Sequence, residues 1–195
     1  MKTEIDFLTK PTLKGEKVIL RPFATEDWEK MIPLLTDPEV KRLTGSVAND
    51  EEANAPISSE EAEHIKQWYQ SRNQQTDRLD LAIIERANGK LVGEVVFNDF
   101  EETTRNVNFR ILIGASGRGK GLGTDATALF LQYGFEVLGL HKVELEVYSF
   151  NPRAEKVYRK NGFVLEGIKR EDFLYNDEYI DTKIFGLLKK EYEGR

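Results

Sequence analysis

A glycine-rich stretch between a strand pattern and a helix pattern constrains this chain most. Residues 118–124 read Arg-Gly-Lys-Gly-Leu-Gly-Thr, directly after an alternating run at 107–113 that predicts a β-strand. The apolar residues that follow recur at helical spacing: Leu122, Ala126, Leu129, Phe130, Tyr133 and Val137. A glycine-rich turn at the start of a helix brings unpaired backbone N–H groups to a ligand, where the helix dipole favours negative charge. The stretch therefore predicts a phosphate-binding loop.

The spacing of the glycines argues against two common kinds of phosphate loop. Gly114, Gly119 and Lys120 nearly match the nucleoside triphosphate loop G-x-x-x-x-G-K-[ST]. Gly121, however, stands where that loop needs a hydroxyl to hold magnesium. The dinucleotide pattern G-x-G-x-x-G is also absent, because the glycines at 117, 119, 121 and 123 alternate without the final gap. Both an NTPase and a dinucleotide enzyme are disfavoured.

Length and composition predict one domain across residues 1–195. With 195 residues, 39% of them hydrophobic and 32% charged, two independent cores are improbable. Residues 1–15 are interpreted as a lead-in, and the small, polar and acidic residues 44–58 as a mobile loop. A long apolar run and a signal-like N-terminus are both missing from the sequence. We therefore expect a cytoplasmic protein that has no membrane partner.

Residue types narrow the chemistry further. The absence of cysteine excludes disulfides, cysteine metal sites and a thiolate nucleophile. The two histidines, His64 and His141, do not form a metal-ligand spacing, so no metal is expected. A net charge of −6 opposes non-specific nucleic-acid binding and is compatible with a cationic substrate such as an amine.

The strand patterns predict a mixed sheet. Runs at 79–85 and 91–97 are joined through Asn88-Gly89, a strong signal for an antiparallel hairpin. The run at 142–147 follows a helical crossover and is therefore expected to lie parallel to 107–113.

A second hairpin is predicted near the C-terminus, where Asn176-Asp177 separates two strand-like runs. An edge strand in this hairpin would allow a homodimer as well as a monomer.

A short helix is predicted after Asn151. This residue suits an N-cap, Pro152 suits the first helical position, and Gly162 suits a helix stop. Val157 and Tyr158 would lie on one face of the helix.

Two motifs together resemble those of the GNAT N-acetyltransferase superfamily. Arg118, Gly121 and Gly123 match the acyl-CoA loop [RQ]-x-x-G-x-[GA], and residues 151–163 match N-x-x-[AS]-x-x-x-Y-x-x-x-G-F. The Leu-Arg-Pro opening at 20–22 is similar to that of the ribosomal-protein N-acetyltransferase branch. The resemblance implies an α/β (α+β) GNAT fold: a single mixed, mostly antiparallel sheet that is splayed at the acetyl-CoA site, with helices on both faces.

The resemblance also implies which residues hold acetyl-CoA, the co-substrate. Backbone donors from the loop would bind its pyrophosphate, one strand end would pair with the pantetheine amides, and an asparagine would bond the pantetheine arm. The loop residues are Arg118, Gly119, Lys120, Gly121, Leu122, Gly123 and Thr124. The strand end that would pair with the amides is Ile111, Leu112 and Ile113, and the asparagine is Asn151.

Acetyl transfer to an amine needs a group that removes a proton from the amine and one that protonates the departing thiolate. Tyr158 stands where the family usually places the thiolate donor, although a tyrosine on an apolar helix face could be plain core. Glu146 matches a family position that serves as base in some N-terminal amine acetyltransferases, although exposed acidic strand faces are common. Glu94, on a neighbouring predicted strand, is the rival base.

The resemblance thus predicts an N-acetyltransferase that works by direct attack of a primary amine on acetyl-CoA in a ternary complex, with a protein N-terminus as one acceptor. A polyamine, amino sugar, antibiotic or amino acid is the alternative acceptor. Two alternatives are not enzymes: a catalytically silent acyl-CoA-binding module and a purely structural domain.

Overall fold

One eight-stranded sheet organises residues 5–194, the part of the chain that the computed structural model describes. Its strands are Leu13–Lys14 (β1), Val18–Arg21 (β2), Leu79–Glu85 (β3), Leu91–Glu101 (β4), Asn106–Ile113 (β5), Lys142–Tyr148 (β6), Val164–Tyr175 (β7) and Glu178–Leu188 (β8). The α-helices are Asp27–Leu35 (α1), Pro38–Leu43 (α2), Asp50–Asn54 (α3), Ser59–Ser71 (α4), Leu122–Gln132 (α5), Pro152–Lys160 (α6) and Lys189–Glu193 (α7). No helix in this part of the chain is long and apolar enough to cross a membrane.

The strand order is β1-β2-β3-β4-β5-β6-β8-β7, and neighbouring strands are antiparallel except for β5 and β6, which are parallel. Both predicted hairpins are confirmed. Gly89 has a positive φ of 69° in the β3–β4 turn, and Asn176 and Asp177 have φ values of 48° and 62° in the β7–β8 turn. The expected mixed, mostly antiparallel sheet is therefore present.

Helices cover both faces of the sheet because alternate residues of a strand point to opposite sides. In β3, Leu81 and Ile83 join the apolar cluster that includes α5, while Ala82 and Ile84 join the cluster of α1 and α4. All four side chains are buried.

A carboxylate fixes the position at which α5 begins. Asp125, in the first turn of α5, accepts hydrogen bonds from the backbone N–H groups of Lys17 (2.8 Å) and Val18 (3.0 Å) at the start of β2. Negative charge is also favourable in the first turn of a helix. The glycine-rich loop that precedes α5 is thereby tied to the sheet.

The predicted lead-in at 1–15 contains a short strand within its described residues. Leu13–Lys14 forms β1 and pairs antiparallel with β2, and Phe7 is buried in the larger apolar cluster. Residues 1–4 of the predicted lead-in lie outside the described residues.

The segment 44–58 contains packed structure that its composition did not suggest. Within it, α3 begins after Asn49, whose side chain accepts a hydrogen bond from the N–H of Glu52 (2.8 Å). The Tyr175 hydroxyl of β7 donates a 2.7 Å hydrogen bond to Asp50. Acidic residues that suggested a loop are the capping and first-turn residues of a short helix. The mobility of the segment stays a prediction.

A buried ionic cluster joins the end of α4 to β3. Asp80 of β3 accepts hydrogen bonds from Arg72 (3.0 Å) and from two nitrogens of Arg78 (both 2.8 Å). The side chains of Arg72 and Asp80 are 0% and 2% exposed. Since both are removed from water, the cluster is stable only while its charges stay matched.

We predict that Asp80→Ala lowers the free energy of unfolding by about 3–5 kcal/mol, because two guanidinium groups lose their buried counter-charge. Glu63→Ala is the control. It removes an exposed carboxylate 3.4 Å from Lys66 in α4 and should cost about 0.5 kcal/mol or less. Urea unfolding followed by tryptophan fluorescence measures both, and equal losses would contradict the assignment.

Candidate active site

The sheet opens between β5 and β6. These two strands pair over only three residue pairs, the last of which joins Asn108 to Glu144. Beyond that point β5 continues to Ile113 with β4 as its partner, and β6 continues to Tyr148 with β8 as its partner. The facing edges therefore carry peptide groups that no neighbouring strand satisfies, and such groups bind water or a ligand.

A cavity of about 830 Å³ lies at this opening. Its walls come from residues 108–113 of β5, residues 144–148 of β6, the loop before α5, α6 together with its N-cap, and α2. This volume is typical of a site for a small molecule or cofactor.

The loop that precedes α5 has the geometry of an anion site. Gly119 and Gly121 have φ values of +74° and +80°, a conformation that favours glycine. Among the described residues, the backbone N–H groups of 119–124 find no acceptor. Gly123 borders the cavity, and a Cβ added there would lie 3.8 Å from its nearest neighbour, so the missing side chain leaves room for a ligand. These features fit a bound phosphate.

The two basic side chains of the loop behave differently. Arg118 borders the cavity, and its Nε donates to the carbonyl of Ile113 (3.1 Å). Lys120 instead pairs with Glu85 of β3 at 3.0 and 3.1 Å and does not border the cavity. Leu122 and Thr124 lie in the first turn of α5, but neither borders the cavity, and the Leu122 side chain is buried in the larger apolar cluster.

The predicted pantetheine contacts border the same opening. Ile111, Leu112 and Ile113 pair with β4 on one side and line the cavity. Asn151 caps α6 by accepting a hydrogen bond from the N–H of Ala154 (3.1 Å). The amide nitrogen of Asn151 has no acceptor within residues 5–194, so it can donate to a ligand in the cavity.

Tyr158 is both a core residue and a cavity residue. Its ring packs edge-on against Phe109 and Phe163, with centroid distances of 6.4 and 5.9 Å. Tyr158 borders the cavity, and its hydroxyl has no hydrogen-bond partner among the described residues. Burial raises the pKa of Tyr158 far above its ordinary value. The phenol therefore stays neutral at pH 7 and can donate a hydrogen bond to a ligand.

The structure separates the two candidate bases. Glu146 borders the cavity, is half-exposed, and forms an ion pair with Lys169 of β7. Glu94 does not border the cavity; it accepts a 2.9 Å hydrogen bond from the Tyr69 hydroxyl of α4. Burial raises the pKa of Glu94. The fold thus brings Glu146 and Tyr158 to one cavity and places Glu94 under α4.

Two further carboxylates border the cavity and were missed from the sequence. Glu144 pairs with Lys142 at 3.0 Å. Asp99 lies at a bulge in β4 with a φ of 53°, and no salt bridge to it occurs within the described residues. Its carboxylate accepts from Asn98 (2.8 Å), whose own oxygen accepts from Asn108 (2.8 Å). No sequence signal indicates this bulge, because register depends on the neighbouring strand.

Within residues 5–194, no group of three or more histidine, aspartate or glutamate side chains is placed to hold a metal ion.

Comparison with known proteins agrees with the geometry. Residues 17–164 match the acetyltransferase (GNAT) domain family. A spermidine N(1)-acetyltransferase of Vibrio cholerae is 34% identical over 113 residues, which cover 58% of this chain and 65% of that relative. A Bacillus subtilis relative whose name gives a provisional ribosomal N-acetyltransferase activity is 29% identical over 106 residues, covering 54% of this chain and 58% of the relative. Each match spans less than two thirds of the relative.

A solved structure shows the same fold. The crystal structure of spermidine N-acetyltransferase from Vibrio cholerae, in complex with CoA and spermine, superposes with a TM-score of 0.77 and 24% identity over 91% of this chain and 98% of that one. The ribosomal branch is thus one of several among the relatives. Because the family match covers well over half of its residues, the chain belongs to the GNAT acetyltransferase family.

Proposed function

We propose that this chain is an N-acetyltransferase that transfers an acetyl group from acetyl-CoA to a primary amine by direct attack. The opening between β5 and β6 carries this proposal, because it combines free strand edges with a phosphate-type loop at the head of α5. When bound, acetyl-CoA supplies an activated thioester. The remaining chemistry belongs to the side chains of the cavity.

Binding of the coenzyme is assigned to backbone groups. The unpaired N–H groups of residues 119–124 bind its diphosphate at the helix N-terminus. The free edge of residues 111–113 pairs with the amides of the pantetheine arm, and Asn151 donates from its amide nitrogen. Both kinds of contact satisfy groups that the chain itself leaves without partners.

Tyr158 is the proposed proton donor to the departing thiolate. Its buried phenol stays protonated at neutral pH, and its hydroxyl is not engaged by any other described residue. A donor placed at the leaving group lowers the barrier to breaking the carbon–sulfur bond.

Glu146 is the proposed base, acting directly or through water. It borders the same cavity as Tyr158, whereas Glu94 is turned toward Tyr69. Its ion pair with Lys169 holds the carboxylate at the wall of the cavity.

The proposed acceptor is a small cationic amine of the polyamine type. The cavity carries three carboxylates, Asp99, Glu144 and Glu146, which suit a cationic acceptor. Glu144 and Glu146 pair with lysines, whereas Asp99 has no salt bridge within residues 5–194 and can bind an ammonium group. The Vibrio cholerae relative, named as a spermidine N(1)-acetyltransferase, supports the same class. A protein N-terminus is the second candidate, and the relative named for ribosomal N-acetylation supports it.

An acceptor screen tests this function. With acetyl-CoA, we expect thiol release and a mass increase of one acetyl group for spermidine, with a higher kcat/KM than for a peptide with a free N-terminus or for an amino acid. A higher kcat/KM for the peptide would instead favour the second candidate. Binding of CoA without thiol release from any amine would show a silent acyl-CoA-binding module.

We predict that Tyr158→Phe lowers kcat by roughly 10²-fold or more, as expected for loss of a general acid. The Kd for acetyl-CoA should stay close to that of the wild type, because the ring that packs against Phe109 and Phe163 is kept. Steady-state kinetics and calorimetry provide the two values. Equal losses in kcat and in affinity would mean that Tyr158 only packs.

We predict that Glu146→Gln lowers kcat/KM by roughly 10²-fold or more and removes the part of the pH profile of kcat/KM that reports a general base. Glu94→Gln should leave kcat/KM nearly unchanged. Glutamine at 94 can still accept the hydrogen bond from Tyr69. A pH profile of kcat/KM measures the difference. Greater loss in Glu94→Gln would make Glu94 the base.

The Glu94→Gln variant should also change how the free energy of unfolding depends on pH. Burial raises the pKa of Glu94 in the folded state. The neutral Glu94 side chain therefore contributes its full stability below the unfolded-state pKa of about 4.3, and this contribution is lost as pH rises through the folded-state pKa. Glu94→Gln should therefore match the wild type at acidic pH and be more stable at pH 8.

A further inference from the structure

One carboxylate of α2 lies between two arginines at the exposed end of the cavity. Glu39 forms an ion pair with Arg118 of the glycine-rich loop through one oxygen. Its other oxygen lies 3.0 Å from Nη2 of Arg153, in the first turn of α6. Both arginines border the cavity. A single carboxylate thus spans the opening from the phosphate loop to α6.

This arrangement matches the way guanidinium groups bind phosphate. The planar fork of arginine presents its N–H groups to two oxygens of a carboxylate or of a phosphate in the same manner. The free N–H groups of residues 119–124 follow Arg118 directly in the chain. Within residues 5–194, Glu39 is the one acidic partner in a salt bridge to either arginine. Without Glu39, two unpaired cations would border a loop that already suits an anion.

We propose that Arg118 and Arg153 form a two-arginine seat for a phosphate group of the coenzyme, and that Glu39 fills this seat until the coenzyme displaces it. The inference rests on the proposed function, since it assumes that acetyl-CoA binds at the loop. It adds Arg153 as a binding residue and Glu39 as an internal competitor.

The exposure of Glu39 makes the exchange feasible. Its side chain is 44% exposed and that of Arg153 is 55% exposed, so water screens the existing pair. The diphosphate as a whole and the 3′-phosphate each carry more negative charge than one carboxylate, and a phosphate at the loop gains backbone N–H donors that Glu39 lacks. The coenzyme therefore displaces Glu39 from the two arginines, but competition with Glu39 lowers the affinity for the coenzyme.

The seat also involves α2, which forms part of the cavity wall. The helix that carries Glu39 contributes Val40, Leu43 and Thr44 to the cavity wall. Displacement of Glu39 releases the contacts that tie α2 to Arg118 and Arg153. The wall that α2 forms then becomes free to adjust after the coenzyme binds.

Calorimetry with CoA tests the seat without depending on turnover. We expect Glu39→Gln to lower the Kd for CoA by roughly 3- to 10-fold, because an exposed ion pair no longer competes. Arg153→Ala should raise the Kd by roughly tenfold through loss of a charged hydrogen bond. Glu51→Gln is the matched control: it also removes one exposed negative charge from the first turn of a short helix, α3, and should leave the Kd unchanged.

Dephospho-CoA identifies which phosphate takes the seat. If Glu39→Gln tightens binding of dephospho-CoA as well, the seat holds the diphosphate; if it tightens only CoA, the seat holds the 3′-phosphate. Either result supports the proposal.

Two results would overturn it, and they are distinguishable. If CoA binds with the same Kd to the wild type, Glu39→Gln and Arg153→Ala, or binds more weakly to Glu39→Gln, the seat is wrong and the proposed function stands. If CoA binds to none of these proteins, the proposed function fails together with the seat.

Discussion

Beyond Asn108, the peptide groups of β5 and β6 no longer form hydrogen bonds with each other. The rest of the site depends on this end of the strand pairing. Unpaired peptide groups are costly unless water or a ligand satisfies them. The opening is held from both sides, because β4 supports β5 while β8 supports β6. Asp125 ties the start of α5 to β2, so the loop stays beside the opening. The cavity is thus a consequence of how the strands are paired.

Charge is distributed along this opening in a way that suits two different ligands. Arg118 lies just after the end of β5, beside the free N–H groups of the loop. Asp99 is linked through Asn98 to Asn108, where the unpaired part of β5 begins. Arg118 and Asp99 therefore lie toward opposite ends of the unpaired stretch, while Arg110 lies between them on β5. An anionic coenzyme and a cationic acceptor can approach one another without competing for the same side chains.

Buried ionisable groups have distinct uses in this fold. Tyr158 is kept neutral by burial and borders the cavity, so its hydroxyl can donate a hydrogen bond to a ligand. Glu94 also has a pKa raised by burial, yet its hydrogen bond to Tyr69 directs it toward α4. The pKa alone would make both candidates for catalysis. Position relative to the opening distinguishes them.

The amino-acid sequence by itself determined the glycine loop, the helix after Asn151, the hairpins and the mixed sheet, because glycine spacing, caps and turns act over a few neighbouring residues. Composition did not indicate the short helix within residues 44–58, which is supported by capping of α3 and by contact with Tyr175. Only the tertiary structure decided where β5 and β6 part, which face Glu94 takes, and that Glu39 meets Arg118, 79 residues away. Such features follow from strand register and the packing of distant segments, which no local pattern encodes.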